Sequence, residues 1–336
     1  MKFALCRTVE IVVLAVLLEM LSLHAASDRG QPAKKVSASQ ATEIKVTLLG
    51  TGTPEPRPDR FGPSTLVEAG GERLVFDCGR GCTTRLWQLR LPLGSVKLFL
   101  THLHSDHTVG IPDLWLTGWL TQPYGTRKEK FHVWGPLGTA EMMAKMEAAY
   151  AEDVRIRREF NPSLTAEQVG VDAHDIGEGI VYENAGVRVT AFKVRHANVK
   201  EAFGYRVDHQ GHSVIISGDM APNDNFRKHA ANADVIIHEV GAANPDLLAS
   251  SPRLQRLLLE HHSSPEDVGR DFAAVKPKLG VLTHYTVLQS EGYPEVALLE
   301  IVARVRKEYS GPLEAGQDLT AIIIGDHVTV RRATSE

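Results

Sequence analysis

From residue 43 onward the chain alternates short apolar and polar runs. Ile44-Lys45-Val46-Thr47-Leu48-Leu49 has the period-two pattern of a half-buried strand. Short strands of the same kind are expected at 64–68, 73–76, 96–100 and 131–134, and a helix over 139–150. Residues 151–185 are polar and irregular and read as an inserted loop region. Strands resume at 187–194, 203–207, 213–217 and 234–239. Helical patterns fill about 245–260, 265–275 and 294–308, and strands at 320–324 and 328–330 close the chain. No internal repeat interrupts this order. Strand groups and helices alternate in two halves, which predicts a layered α/β fold.

The N-terminus follows another rule. Lys2 and Arg7 precede a nearly unbroken apolar run from Ile11 to Leu23, and small residues follow at Ala25 and Ala26. This is the pattern of a secretory signal peptide spanning 1–26. The run is short for a membrane span, although Glu10 and Glu19 also leave an uncleaved anchor open. Residues 27–43 carry almost no large apolar side chains and read as a linker. The folded domain is expected over 44–331, in a periplasmic or secreted protein without stable membrane insertion.

Composition adds mainly exclusions. Of 336 residues, 43% are hydrophobic and 23% charged, which fits a globular chain and neither a disordered nor a coiled-coil one. Lys+Arg number 37 and Asp+Glu 41, a net charge of −4. No basic excess marks a dedicated nucleic-acid binder. Cys6 would leave with the leader. Cys78 and Cys82 can pair in an oxidising compartment, but two packed thiols at a tight turn are favoured.

The chemistry concentrates in Thr101-His102-Leu103-His104-Ser105-Asp106-His107, directly after the apolar run 97–100. Imidazoles with a carboxylate suit zinc and similar divalent ions. Residues two apart in extended chain point the same way, so His102 and His104 can share one metal while Asp106 and His107 turn toward a second.

This His-x-His-x-Asp-His pattern resembles the metallo-β-lactamase superfamily, and the resemblance covers about residues 44–331. It implies a four-layer αββα sandwich in a single domain, with metals at one edge between the sheets. It further implies ligands at His196 after 187–194, at Asp219 in Ser217-Gly218-Asp219, and at His284 in Val281-Leu282-Thr283-His284-Tyr285, each expected at a strand's C-terminal end. By resemblance His102, His104 and His196 hold one ion, Asp106, His107 and His284 the other, and Asp219 bridges. Asp77 is to fix the ligand loop through hydrogen bonds, or else to cap the following helix. Two divalent ions, zinc first among them, would turn a bridging water into hydroxide.

Within that family, Leu48-Leu49-Gly50-Thr51-Gly52-Thr53-Pro54, Phe76-Asp77-Cys78-Gly79, Phe131-His132-Val133-Trp134-Gly135-Pro136 and Phe203-Gly204-Tyr205-Arg206 look like the ribonuclease Z branch. So do Ile237-His238-Glu239 and His262-Ser263-Ser264. The likeness implies His262 as general acid with Glu239 orienting it, beside Asp106 as the third catalytic residue. His261 is adjacent and leaves the register open. It also implies a possible homodimer.

The departures are Arg80 and Ser264, where that branch usually has Glu and Thr, and the lack of a Gly/Pro-rich tRNA-holding arm. Short elements such as Arg60-Phe61-Gly62-Pro63-Ser64 and Gly110-Ile111-Pro112-Asp113-Leu114 look like secreted arylsulfatases of the same fold. Trp115, Trp119 and Tyr124 can wall an aryl leaving group, or simply pack. The leading expectation is therefore an exported dinuclear hydrolase of small aryl sulfate or phosphodiester esters. The alternatives are a tRNA 3′-end endoribonuclease, a β-lactamase, and a non-catalytic binding protein. His132, His174, His209, His212, His229 and His327 read as structural or surface residues. Arg127-Lys128-Glu129-Lys130 and Arg155-Ile156-Arg157-Arg158 read as solvated faces.

Overall fold

A computed structural model describes residues 42–332. The expected leader, and the linker as far as residue 41, lie outside the described residues. Among the described residues no helix is long and apolar enough to cross a membrane.

The first half builds one sheet with its helices. Its elements are β1 (Ile44–Gly50), β2 (Ser64–Ala69), β3 (Glu72–Phe76), α1 (Cys82–Gln88), β4 (Lys97–Phe99), α2 (Ser105–Thr108), α3 (Ile111–Gly118), β5 (Phe131–Gly135), α4 (Thr139–Ala149), α5 (Ala151–Phe160), α6 (Ala166–Val169) and β6 (Val171–Asp175). The second half runs β7 (Gly179–Asn184), β8 (Val187–Val194), β9 (Ala202–His209), β10 (His212–Ile216), α7 (Asp224–Ala230), β11 (Val235–Ala243), α8 (Pro245–Ser250), α9 (Pro252–His261), α10 (Pro265–Val275), β12 (Leu279–Leu288), α11 (Leu298–Glu308) and β13 (Leu313–Ala315). β14 (Ala321–Ile324) and β15 (Val328–Arg331) return to the first sheet. The strand orders are β15-β14-β1-β2-β3-β4-β5-β6 and β13-β12-β11-β10-β9-β8-β7.

Alternation sets the layers. On β1, Ile44, Val46 and Leu48 join Phe76, Tyr205, Val214 and Ile216 in the core between the sheets, while Leu49 turns outward. It meets Leu86 of α1 and Leu114 and Trp115 of α3. On β10, Ile215 turns outward onto Phe226 of α7 and Phe272 of α10. Each sheet thus has helices on its outer face and the other sheet on its inner face, the expected αββα sandwich. Strands β3–β6 and β10–β13 pair in parallel and are linked by helices, so their C-terminal ends share one edge, where loops gather.

Several expectations need correcting. Residues 151–185 are not a loop: they hold α5, α6, β6 and β7. α5 buries no residue and is laced by ion pairs such as Arg155–Glu159 and Arg157–Asp153. β6 and β7 are the outermost strands of their sheets and stay half-wetted, which hides their periodicity. The single helix expected at 245–260 is two. Ser251 caps α9 by accepting from Leu254 N, and Pro252 occupies its first turn. The three-residue β13 had no counterpart among the expected strands. Arg127 is not on a solvated face but buried, with Nη1 donating to Trp115 O at 2.8 Å. Cys78 and Cys82 are both buried and free.

Candidate metal centre

β4 ends at Phe99, and the chain bends at Thr101 and runs through His102 to an extended His104 before α2 lifts Asp106 and His107. His196 follows β8, and Asp219 follows β10 after Gly218. Gly218 has a φ of 62°, and a Cβ there would come 2.7 Å from Phe203 O and 3.0 Å from Thr101. The turn that delivers Asp219 therefore requires glycine. His284 departs from expectation. It sits inside β12, at a bulge where Thr283 pairs with Glu239 and Tyr285 with Val240, so His284 itself has no cross-strand partner. Its φ of 44° throws the ring toward the other ligands.

The structure brings all seven expected ligands together. Ligand atoms of His102, His104 and His196 lie within 4.8 Å of one another, as do those of Asp106, His107 and His284. Asp219 falls within the same distance of His102 and His107, and of His262 and His284. His107 Nε2 is 3.5 Å from both Asp106 Oδ2 and Asp219 Oδ1. His284 Nε2 is 3.4 and 3.3 Å from the same two oxygens. Two ligands about 2.0–2.1 Å from a tetrahedral ion stand about 3.3 Å apart, so these spacings fit a shared cation. His107 Nε2, His284 Nε2 and Asp219 Oδ1 are buried and accept or donate no hydrogen bond among the described residues. Buried polar atoms are rarely left so, and an ion between them would satisfy all three.

The supporting contacts aim these atoms. Asp77 Oδ2 accepts from His107 Nδ1 at 2.7 Å and from Thr101 Oγ1 at 2.8 Å, and its Oδ1 accepts from Thr101 N at 2.8 Å. That leaves His107 Nε2 facing the cluster. His196 Nδ1 donates to His261 O at 2.7 Å, and Thr286 Oγ1 meets His284 Nδ1 at 3.1 Å. Thr101 and Thr286 were not picked out from sequence. Their only signal is a hydroxyl one or two residues from a ligand.

Electrostatics agree with cation binding. Burial and the neighbouring His107 push His102 well below the usual histidine range, and burial pushes His196 down to about 4. Both rings are therefore neutral, as ligation demands. Burial disfavours charge on Asp219, but His284 and His107 outweigh it and hold the carboxylate ionised. Burial likewise opposes charge on His107, and Asp219 and Asp77 prevail, holding its proton tightly. A cation would take that proton's place.

His262 lies beside the cluster. Its Nδ1 is 3.2 Å from Glu239 Oε2, and Glu239 Oε1 accepts from Ser263 N at 2.7 Å. Burial lowers the His262 pKa, but the Glu239 charge and hydrogen bond raise it further, so the net shift is upward. A Cβ on Gly241 would lie 2.7 Å from His262 Cβ, so the close approach of α9's end to β11 requires glycine. His261 instead turns to His196, with ring centroids 5.0 Å apart. His238 faces the helices, packed on Phe226 and Phe272 and near Asp271. A cleft of about 550 Å³ opens over the cluster, lined also by Thr53, Glu55, Leu257, His261 and Gln289. Trp115 and Trp119 do not reach it. Both are core residues under the first sheet, and Tyr124 packs against the same core. Their apolar surface was spent on α3 packing, so they form no substrate wall.

A model of the beta-lactamase superfamily domain matches residues 72–285. Ribonuclease Z of Mycobacterium sp. (strain KMS) is 35% identical over 292 residues, which is 86% of this chain and 99% of that protein. The metallo-beta-lactamase fold protein YhfI from Bacillus subtilis superposes with a TM-score of 0.65 at 17% identity, covering 84% of this chain and 99% of that one. Human tRNase Z, short form, gives a TM-score of 0.55 at 23% identity, covering 83% and 98%. Likeness in sequence, in fold and over nearly the full length of these proteins means that the chain belongs to the metallo-β-lactamase superfamily of metal-dependent hydrolases, in its ribonuclease Z-like branch.

Proposed function

We propose that this protein hydrolyses RNA phosphodiester bonds in the manner of ribonuclease Z, with transfer-RNA precursors carrying a 3′ trailer as the substrate class. The observation that carries the reading is the His262–Glu239 pair standing against the ligand cluster. The near full-length similarity to a ribonuclease Z supports it. The sulfate-ester expectation rested on short motifs alone, and the aromatic residues that could have walled its leaving group are core. The leader-like run at 11–23 bears on where the substrate is met and not on the reaction.

His102, His104 and His196 would hold one divalent ion, Asp106, His107 and His284 a second, and Asp219 would serve both. Zinc suits this imidazole and carboxylate set. When bound, such ions supply Lewis-acid activation of water and of the scissile phosphoryl group. The chain's own residues handle the leaving group. His262 Nδ1 is engaged by Glu239, so Nε2 is the ring atom free to act. A proton on Nε2 passes to the departing ribose oxygen as the phosphorus–oxygen bond breaks. Glu239 accepts from Nδ1–H and steadies the charged ring before transfer. The cleft beside His261 and Leu257 leaves room for the strand to lie across the cluster.

The test compares a trailer-bearing tRNA precursor, bis-p-nitrophenyl phosphate and p-nitrophenyl sulfate on the purified protein. Cleavage of the precursor at its 3′ end is expected. His262→Ala should lower kcat on it about 10²- to 10⁴-fold while retaining the wild-type metal content. Turnover of the sulfate ester ahead of both phosphodiesters would overturn the assignment.

A further inference from the structure

A second group of metal-binding side chains stands on the first sheet, away from the cleft. β5 and the edge strand β6 pair in parallel, with His132 opposite Asp172 and Trp134 opposite His174. Residues two apart share a face of a strand, so these four side chains lie on one side of the sheet. His132 Nδ1 and His174 Nε2 each lie 3.1 Å from the same oxygen, Asp172 Oδ2. The three ligand atoms are all within 4.8 Å of one another. The Trp134 indole stacks near both imidazoles, with centroids 5.7 and 5.6 Å away and planes within 19° and 20°. Glu129 Oε2 sits 4.0 Å from His132 Nε2, on the ring edge away from the group. There it can take up the second N–H, the usual support for a ligating imidazole.

We propose that His132, Asp172 and His174 bind a divalent transition-metal ion, separate from the catalytic centre. Ligands about 2 Å from a tetrahedral ion stand about 3.3 Å apart, so the 3.1 Å pairs need only a small adjustment. The side chains are 25%, 42% and 44% exposed, so they have freedom to make it. Two imidazoles with one carboxylate favour Zn²⁺, Ni²⁺ or Cu²⁺ over Mg²⁺ or Ca²⁺. The remaining coordination positions face solvent and would hold water. The ion would tie β5 to β6, an edge strand that pairs on one side only. A carboxylate merely shared by two imidazoles through hydrogen bonds is the competing account, and it binds no ion.

The experiment uses the untagged full chain, dialysed against Zn²⁺ and assayed for bound metal by mass spectrometry. Wild type is expected to hold one more equivalent than either His174→Ala or Asp172→Asn. His107→Ala, which strikes the catalytic centre, should keep that equivalent. As a second readout, Cu²⁺ should quench Trp134 fluorescence in wild type, and this quenching phase should vanish in His174→Ala. Equal zinc content in wild type and both variants, or unchanged quenching, would overturn the proposal. Circular dichroism of His174→Ala and Asp172→Asn should match wild type, because those two side chains are partly exposed.

Discussion

Asp77 shows how much one side chain can organise. It accepts three hydrogen bonds, two of them from Thr101 and one from His107. Asn at this position keeps an oxygen for Thr101 but offers His107 Nδ1–H an amide instead of a carboxylate. Asp77→Asn is therefore expected to weaken metal affinity about 10- to 100-fold with little change in fold. Competition against a chelator of known affinity measures this, and unchanged affinity would deny Asp77 its orienting role. The ligands themselves were legible in sequence because His102, His104, Asp106 and His107 are packed into six positions. Thr101 and Thr286 were not, since a hydroxyl that braces an imidazole leaves no spacing pattern. His284 was found, but its bulge was not, because a bulge is a property of two strands and not of one.

At the scale of elements, the loop between α3 and β5 carries an expensive residue. The Arg127 guanidinium is buried against Gly118 and lies 4.5 Å from the Phe131 ring. Only Nη1 finds an acceptor, while Nε and Nη2 find none among the described residues. Burial pushes its pKa down to about 9. Removing an uncompensated buried charge in favour of an apolar chain of similar length is often stabilising, by about 1–4 kcal/mol in buried ionic clusters. Arg127→Met is expected to raise the thermal midpoint, by roughly 2–4 °C for each kcal/mol gained in a domain of this size. A lowered midpoint would mean that the bond to Trp115 O and the ring contact outweigh the burial cost. In sequence Arg127 reads as solvent-facing because charge is normally a surface marker. Nothing local announces the space that Gly118 leaves. The same logic explains α5, β6 and β7: solvated helices and edge strands lack the apolar rhythm by which elements are recognised.

At the scale of the molecule, Glu72 of β3 connects the two sheets. Its Oε2 accepts from Lys97 Nζ at 2.7 Å and Tyr182 Oη at 2.8 Å, and Oε1 accepts from Asn184 Nδ2 at 2.7 Å. Tyr182 and Asn184 belong to β7, in the opposite sheet. Burial alone would raise the Glu72 carboxyl, but Lys97, Tyr182 and Asn184 outweigh it and hold it below the usual range. A depressed acid contributes stability that is present above its unfolded pKa and lost as pH falls through the folded one. The stability gap between wild type and Glu72→Gln should be full at neutral pH and close as pH drops below about 4.3. Denaturant melts at several pH values check this, and a gap unchanged down to pH 3 would refute it. The four layers were readable from the resemblance and the strand groups. Cross-sheet contacts such as this one were not, because no pattern in one segment reveals its neighbour from the other half.

His102, His104, Asp106 and His107 hang from one sheet, and His196, Asp219 and His284 from the other. Any ion held between them is a bolt through the seam of the sandwich. It exists only when both halves are assembled, so its binding energy adds to folding. Each tenfold rise in free ion beyond its dissociation constant would add about 1.4 kcal/mol. Metal supply would then govern how long the protein survives, and not only how fast it works.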